Sequence, residues 1–199
     1  MEKSRKPYAV LILAAGEARR MGTPKQLLPW RDTTLLGQVI AHAHQVKDAD
    51  LYVVLGAHAK IIQRQIAPID FSCIVNSKWH KGLGSSIASG IQYICNEHPR
   101  CQGILLLLGD QPFLNGAHLQ QMIRMYKKTS KKIIATAYGK QMGVPALFHP
   151  LYFRDLGRLS GNEGAKHILE AHATDVLCLD AQDLTMDVDT PAEYKRLKE

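Results

Sequence analysis

Short runs of apolar residues recur along the chain, and the longer segments between them carry apolar residues at every third or fourth position. The runs are YAVLIL (8–13), LYVVL (51–55), SCIV (72–75), ILLLL (104–108), IIATA (133–137) and VLCL (176–179). Such near-continuous apolar runs are typical of strands that are buried on both faces of a parallel sheet. The alternation therefore predicts an α/β fold with a largely parallel sheet.

Helical spacing is clearest in three of the intervening segments. Their apolar positions are Leu35, Leu36, Val39, Ile40, Ala43 and Val46, then Ile87, Ile91 and Ile94, then Leu119, Met122, Ile123 and Tyr126. Thr33 or Thr34 is expected to cap the first helix and Ser85 or Ser86 the second, while Pro191 suits the first turn of a final helix. Because the sequence contains no repeat, low-complexity tract or linker, we expect residues 1–199 to form a single domain.

Composition is that of an ordinary globular protein, with 46% hydrophobic and 22% charged residues. No apolar run approaches the roughly 20 residues of a membrane span, and the N-terminus has no signal-peptide pattern, so we expect a cytoplasmic protein without a membrane partner. A net charge of +7 suits either a polyanionic small molecule or a nucleic acid. Aromatic platforms and a concentrated basic face are missing from the sequence, so nucleic-acid binding is disfavoured.

Cysteine and histidine spacing gives little sign of a metal site of the zinc type. The four cysteines, Cys73, Cys95, Cys101 and Cys178, have no CxxC spacing and are expected to be small buried hydrophobes. The nine histidines form neither HxxxH nor HExxH. Histidines scattered over the surface are the simpler interpretation.

The segment LAAGEARRMGTPK, residues 13–25, follows the first apolar run and combines two glycines, three cations and a proline. Ligands of open α/β sheets bind at the carboxyl ends of strands, and glycines there allow backbone N–H groups to approach a phosphate. Neither GxxxxGK[ST] nor GxGxxG is present, so the segment is neither a P-loop nor a dinucleotide fingerprint. It predicts a phosphate-binding loop of another kind.

Asp110 follows the most apolar run, in the sequence LLGDQP (107–112). A carboxylate at the end of a buried strand is costly unless it is paired or binds a metal ion. A turn or helix-capping aspartate before Gln111 and Pro112 is the alternative, since Gly-Asp is common where strands end. The residues alone leave both interpretations open.

The first loop, continued to Pro29, resembles the signature of the MobA-like nucleotidyltransferases, in particular their molybdenum cofactor cytidylyltransferase branch. Five further segments resemble the family pattern in the same order, so that the resemblance covers nearly the whole chain. They are NSKWHKGLGSSIASGI (76–91), LLGDQP (107–112), GVPALF (143–148), LSGNEGAKHIL (159–169) and DVDTPAEY (187–194). The resemblance implies a three-layer α/β/α sandwich with a mostly parallel, mixed sheet, Rossmann-like and of the nucleotide-diphospho-sugar transferase type.

The resemblance also implies roles for individual residues toward a nucleoside triphosphate and Mg²⁺. The catalytic group would consist of Lys25, Arg20 and Asp110. The nucleotide would be bound by Leu13, Ala14, Ala15, Gly16, Arg20, Lys25, Gly82, Gly84, Ser85, Ser86 and Asp110. Asp110 would bind the metal together with Asp189 or Asp187. We expect Asp187 and Asp189 to point to opposite sides, so that one binds the metal and the other caps a helix. We favour Asp189 as the ligand.

The base and the acceptor follow from the same resemblance. The guanylyl branch has LAGG where this chain has LAAG, and the methyl group of Ala15 leaves less room for a purine, so CTP is expected rather than GTP. The acceptor, a molybdopterin-type phosphate, is expected near Gly143, Pro145, Gly161, Asn162 and Gly164. The product would serve an apo-enzyme of the xanthine dehydrogenase type. Asn162, Lys166 and Ala18 depart from the residues that are common in the family, and the first two bear on the acceptor.

Two other functions are compatible with these residues. A related enzyme could use a sugar phosphate or another small phosphate as the acceptor. A non-catalytic carrier of the finished molybdenum cofactor is the other possibility. The presence of Lys25, Asp110 and Asp189 together argues against a carrier, because carriage alone needs no catalytic metal.

Overall fold

The computed structural model describes residues 5–18, 22–66, 70–139, 141–181, 184 and 186–198. A seven-stranded mixed sheet forms its centre, with the strand order β5-β4-β1-β6-β8-β7-β9. Its strands are β1 (Tyr8–Ala14), β4 (Ala49–Leu55), β5 (Ser72–Val75), β6 (Gly103–Leu108), β7 (Ile133–Tyr138), β8 (Gln141–Phe148) and β9 (Val176–Asp180), while β2 (Pro29–Trp30) and β3 (Thr33–Thr34) form a small separate ribbon. All six runs that were predicted as strands are strands of this sheet.

Helices cover both faces of the sheet. They are α1 (Leu35–Ala43), α2 (Ala59–Ile66), α3 (Leu83–Glu97), α4 (Gly116–Lys128), α5 (Phe153–Leu156), α6 (Lys166–Ala171) and α7 (Pro191–Lys198). Alternate residues of β1 belong to two separate cores: Val10 and Ile12 pack with α1, α2 and α4, whereas Leu11 and Leu13 pack with α3, α5 and α6. This period of two follows from strand geometry and gives the expected three-layer α/β/α sandwich.

β8 is the strand of the seven-stranded sheet that the sequence did not predict. It runs antiparallel to both β6 and β7, while the other pairings of the sheet are parallel. Its pairing with β7 shifts register by two residues, at Val144 and Pro145. Gly143 and Pro145 disfavour a regular strand. The local sequence therefore does not predict β8, which is formed by pairing with β6 and β7.

Helix ends agree with the sequence in part. Thr34 caps α1 by accepting a hydrogen bond from the Gly37 N–H, and Pro191 begins α7, as predicted. The prediction that Ser85 or Ser86 caps α3 was wrong, because the helix begins at Leu83, before both serines, and its N-cap is Gly82. Gly82 has φ +102°, a left-handed conformation that favours glycine.

The cysteines are not paired with one another in the structure. All four cysteines are free: Cys101 is buried and Cys73 and Cys95 are half-buried. Cys178 is exposed, contrary to expectation, because it lies on β9 at the edge of the sheet. Among the described residues, no helix combines the length and the apolarity needed to cross a bilayer.

Candidate active site

A cavity of about 460 Å³ opens beside the carboxyl ends of β1 and β6, and we call it the loop cavity. Its wall includes the loop that follows β1, the turn that follows β6 and the start of α3. The lining residues are Leu13, Ala14, Ala15, Gly16, Glu17, Ala18, Lys25, Gln26, Trp79, His80, Gly82, Leu83, Ser86, Leu108, Gly109 and Asp110. Its volume is in the range of small-molecule sites.

Backbone carbonyls of the β1 loop are held by hydrogen bonds on the protein side. The Gln26 side-chain amide donates to the Ala14 and Gly16 carbonyl oxygens, at 3.0 and 2.8 Å. The Ala57 N–H donates to the Ala15 carbonyl oxygen at 3.1 Å. Arg20, to which the sequence assigned a catalytic and nucleotide-binding role, lies outside the described residues.

Lys25 stands between two carboxylates. Its ammonium donates one hydrogen bond to Asp110 Oδ2 and a second, of 2.9 Å, to Asp189 Oδ1. The Lys25 side chain is 16% exposed. Burial acts to lower the pKa of Lys25, but the charge of Asp110 and the hydrogen bonds to both carboxylates outweigh it and raise the pKa above its ordinary value. Lys25 is therefore a fixed positive charge on the wall of the loop cavity.

Asp187 and Asp189 both face this cluster, on either side of the buried Val188. The Val188 N–H donates to the Asp110 carbonyl oxygen at 3.1 Å, which ties the segment to the turn after β6. Gln111 Nε2 donates to Asp187 Oδ1 at 2.9 Å. The expectation that the two carboxylates point to opposite sides was wrong, because residues two apart in an extended chain share a side.

The carboxyl group of Asp187 has a perturbed pKa. Partial burial is the largest cause and the negative charge of Asp110 is the next, and together they raise the pKa to about 6 although Gln111 acts to lower it. Such a shift at the edge of a cavity is frequent at functional sites.

The carboxylates suit a hard divalent cation. Asp110 Oδ1 is buried and has no hydrogen-bond partner among the described residues, so the atom lacks the partner that a buried oxygen requires. Within the same residues, no group of three or more His, Cys, Asp or Glu side chains is placed to hold a metal by itself. Mg²⁺ commonly uses one or two carboxylates and takes its remaining ligands from phosphates and water, so the donor set fits such an ion bound together with a nucleotide.

The residues at the start of α3 divide into two groups. Gly82 and Ser86 line the loop cavity, together with Trp79 and His80, which the sequence had not singled out. Ser85 instead donates to the carbonyl oxygens of Lys78 and Gly82, both at 2.9 Å. A Cβ on Gly84 would clash with the backbone of Ser160, so Gly84 serves close packing.

A second cavity, of about 320 Å³, lies beside the loop cavity, and we call it the Tyr138 cavity. Leu13, Leu83 and Leu108 line both. The other residues of its wall are Ile87, Leu106, Gln111, Tyr138, Gln141, Met142, Gly143, Val144, Gly164, Ala165, Lys166 and Asp187. Apolar side chains predominate, while Lys166 adds a positive charge and Asp187 a carboxyl group.

The residues that were expected to bind the acceptor are only partly collected here. Gly143 and Gly164 line the Tyr138 cavity. Pro145 is buried within β8, where its carbonyl oxygen accepts a hydrogen bond of 2.8 Å from Thr136. Gly161 and Asn162 lie against Gly82, and the Gly84 N–H donates to the Gly161 carbonyl oxygen. These two residues therefore pack against the start of α3 and are not among the residues that line the Tyr138 cavity.

Several lining residues could not be found from the sequence. Gln26, Glu17 and Leu108 sit inside recognised segments but carry no pattern that marks them as ligand contacts, and Tyr138 lies outside those segments. Trp79 was visible as a polar-flanked aromatic in a glycine-rich stretch. Such a residue is a weak signal, because aromatics in that setting usually pack in a core.

Comparison with known proteins agrees with this geometry. Residues 10–176 match the model of a family described as the MobA-like NTP transferase domain. The chain is 29% identical to the purine catabolism protein PucB of Bacillus subtilis (strain 168) in an alignment of 210 positions, which covers 98% of each protein.

Two similar solved structures come from Mycobacterium tuberculosis H37Rv. Rv0371c superposes with a TM-score of 0.81 at 32% identity, with 98% of each chain covered. The Rv0371c complex with manganese superposes with a TM-score of 0.80 at 31% identity, covering 96% of this chain and 98% of that one.

Proposed function

Because the chain belongs to the MobA-like NTP transferase family, we propose that it is a magnesium-dependent cytidylyltransferase with molybdopterin as the acceptor. A phosphate oxygen of molybdopterin attacks the α-phosphorus of CTP and forms a new P–O bond. The bond between the α-phosphorus and the bridging oxygen breaks, and pyrophosphate leaves with the electron pair. The observation that carries this proposal is the pairing of Lys25 with Asp110 and Asp189 beside two adjoining cavities.

Lys25 provides the positive charge toward the triphosphate in this proposal. Its ammonium is fixed before substrate binds, so little reorganisation is needed when charge develops on the phosphates. The acceptor phosphate is already ionised at neutral pH, so the reaction needs alignment and charge stabilisation rather than a strong general base.

Asp110 and Asp189 would hold the Mg²⁺. When bound, the ion neutralises phosphate oxygens and stabilises the charge of the leaving pyrophosphate. The unpartnered Oδ1 of Asp110 supports this assignment. The similarity to Rv0371c, of which a manganese complex is known, also supports a divalent metal. Asp187 faces the same cluster and is a further candidate ligand.

Ala15 supports CTP as the nucleotide. The residue lines the loop cavity and is buried, so its methyl group occupies space that a purine ring would need. Calorimetry with CTP and GTP in the presence of Mg²⁺ tests this choice. We expect tighter binding of CTP, and tighter binding of GTP would refute the role given to Ala15.

The Tyr138 cavity supports a pterin rather than a sugar as the acceptor. Leu106, Met142 and Val144 offer apolar surface that a flat heteroaromatic ring would cover more completely than a sugar would. Gln111 and Gln141 on the same wall can hydrogen-bond the polar edge of such a ring. Lys166 is placed on the same wall to meet a negative charge. The product would then be delivered to an apo-enzyme of the xanthine dehydrogenase type.

Release of pyrophosphate from CTP across a panel of acceptors tests the reaction. We expect release with molybdopterin and little release with hexose 1-phosphates. Preference for a sugar phosphate would replace the acceptor and keep the reaction class. Binding of the molybdenum cofactor without any turnover of CTP would instead indicate a carrier.

A further inference from the structure

Gln26 is a buried polar side chain at the base of the β1 loop. It is 3% exposed and lies on a short 3-10 helix, Lys25–Leu27, directly after the lysine that pairs with Asp110 and Asp189. Its amide nitrogen donates to two carbonyl oxygens of the loop, those of Ala14 and Gly16. Because both partners are acceptors, the NH₂ group must face them.

These two bonds determine the direction of peptide groups in the loop. In a trans peptide the carbonyl of one residue and the N–H of the next point in opposite directions. With the Ala14 and Gly16 carbonyls held on Gln26, the N–H groups of Ala15 and Glu17 point away from it. A Cβ on Gly16 would meet no atom within 4 Å, so a ligand can approach the backbone at that point.

Lys25 and Gln26 are consecutive residues, so the same 3-10 helix carries the ammonium and the amide. A shift of this helix would move the charge and the loop carbonyls together. The Ala57 N–H donates to the carbonyl oxygen between these two, that of Ala15. The loop is thereby held by two separate segments of the chain before any ligand binds.

We infer that Gln26 is a positioning residue, which orients the β1 loop so that its N–H groups bind the β- and γ-phosphates of the nucleotide. The inference rests on the proposed function, because it assumes that a triphosphate occupies the loop cavity. It predicts that Gln26 contributes to the part of the affinity that comes from the phosphates and not to the part that comes from the base.

Calorimetric binding of CTP, CMP and inorganic tripolyphosphate, each with Mg²⁺, tests this inference on Gln26→Met. Methionine keeps the length of the side chain and removes the donor. Gln92→Met is the matched control, since Gln92 donates one bond of the same kind to the Gly157 carbonyl, on the exposed surface. Thermal unfolding of both variants checks that they are folded.

We expect Gln26→Met to weaken CTP and tripolyphosphate by about tenfold, with CMP changed by less than about twofold, because two hydrogen bonds each have a modest net value. Gln92→Met should bind all three like the wild type. Equal weakening of CTP and CMP, or unchanged tripolyphosphate binding, would overturn the inference. If the wild type binds tripolyphosphate but not CTP, the nucleotide of the proposed function is wrong while the test of Gln26 still holds. Failure of the wild type to bind either ligand would overturn both.

Discussion

Replacing Lys25 by methionine separates two consequences of its position between Asp110 and Asp189. Methionine preserves the apolar length of the side chain and removes the ammonium. The two carboxylates then face each other without their cation. We expect Lys25→Met to lose turnover and, in the absence of nucleotide, to bind a divalent cation more tightly than the wild type.

The structure sets the size of both effects. Loss of one preorganised charge typically lowers turnover by about 10² to 10³. At the 2.9 Å between Lys25 Nζ and Asp189 Oδ1, two unit charges attract by about 6 kcal/mol at an effective dielectric constant of 20. The Asp189 side chain is 40% exposed, so water screens much of this attraction. A gain of about tenfold in metal affinity, equivalent to about 1.4 kcal/mol, is therefore expected.

Titration of free Mn²⁺ by electron paramagnetic resonance measures the metal affinity, and release of pyrophosphate measures turnover. Lys127→Met is the matched control, because Lys127 pairs with Asp48 at 2.7 Å on the exposed surface. It should leave both measurements unchanged. If Lys25→Met keeps near-normal turnover, the role of its charge is wrong. If it binds Mn²⁺ no more tightly than the wild type, the ammonium does not compete with the metal for these carboxylates.

Three further predictions concern other parts of the molecule. Ala15→Gly should raise the affinity for GTP relative to that for CTP by about tenfold, which is the effect of one methyl group in a closely fitting pocket. An unchanged ratio of the two affinities in calorimetry would contradict steric selection of the base by Ala15. Gly82→Ala should unfold at a lower temperature than Gly139→Ala, because both have positive φ but only the new Cβ at position 82 would clash with Gly161; equal midpoints would contradict this packing. Burial lowers the pKa of His118, so the unfolded chain binds a proton there more readily than the folded chain does. The stability that this residue contributes above about pH 6.5 should therefore be lost on acidification, and His118→Gln should reduce the loss. A midpoint of thermal unfolding that does not fall between about pH 7 and about pH 5 would contradict this.

The sheet could be predicted where the strands are buried on both faces. Leu105 and Leu107 belong to one core and Leu106 to the other, so the whole run must be apolar and is visible in the sequence. β8 could not be predicted, because Gly143 and Pro145 interrupt its pattern and its pairing partners come from elsewhere in the chain. Local propensity does not report such tertiary pairing.

The candidate site was predictable as a set of segments but not as an arrangement. Sequence motifs brought Lys25, Asp110 and the DVD segment into one hypothesis. Asp187 and Asp189 both face Lys25 and Asp110 because Val188 between them is buried beside Trp30 and Leu35. The hydrogen bonds of Gln26 with the loop likewise exist only in the folded chain, because they join side chain and backbone across a turn of irregular structure.

The most direct test of the proposed reaction is the mass of its product. Molybdopterin incubated with the protein, CTP and Mg²⁺ should gain the mass of one cytidylyl group, and equimolar pyrophosphate should appear. The same incubation with GTP should give little or no product. A guanylyl product, or unmodified molybdopterin in the presence of an enzyme that transfers CMP to another phosphate, would contradict the account.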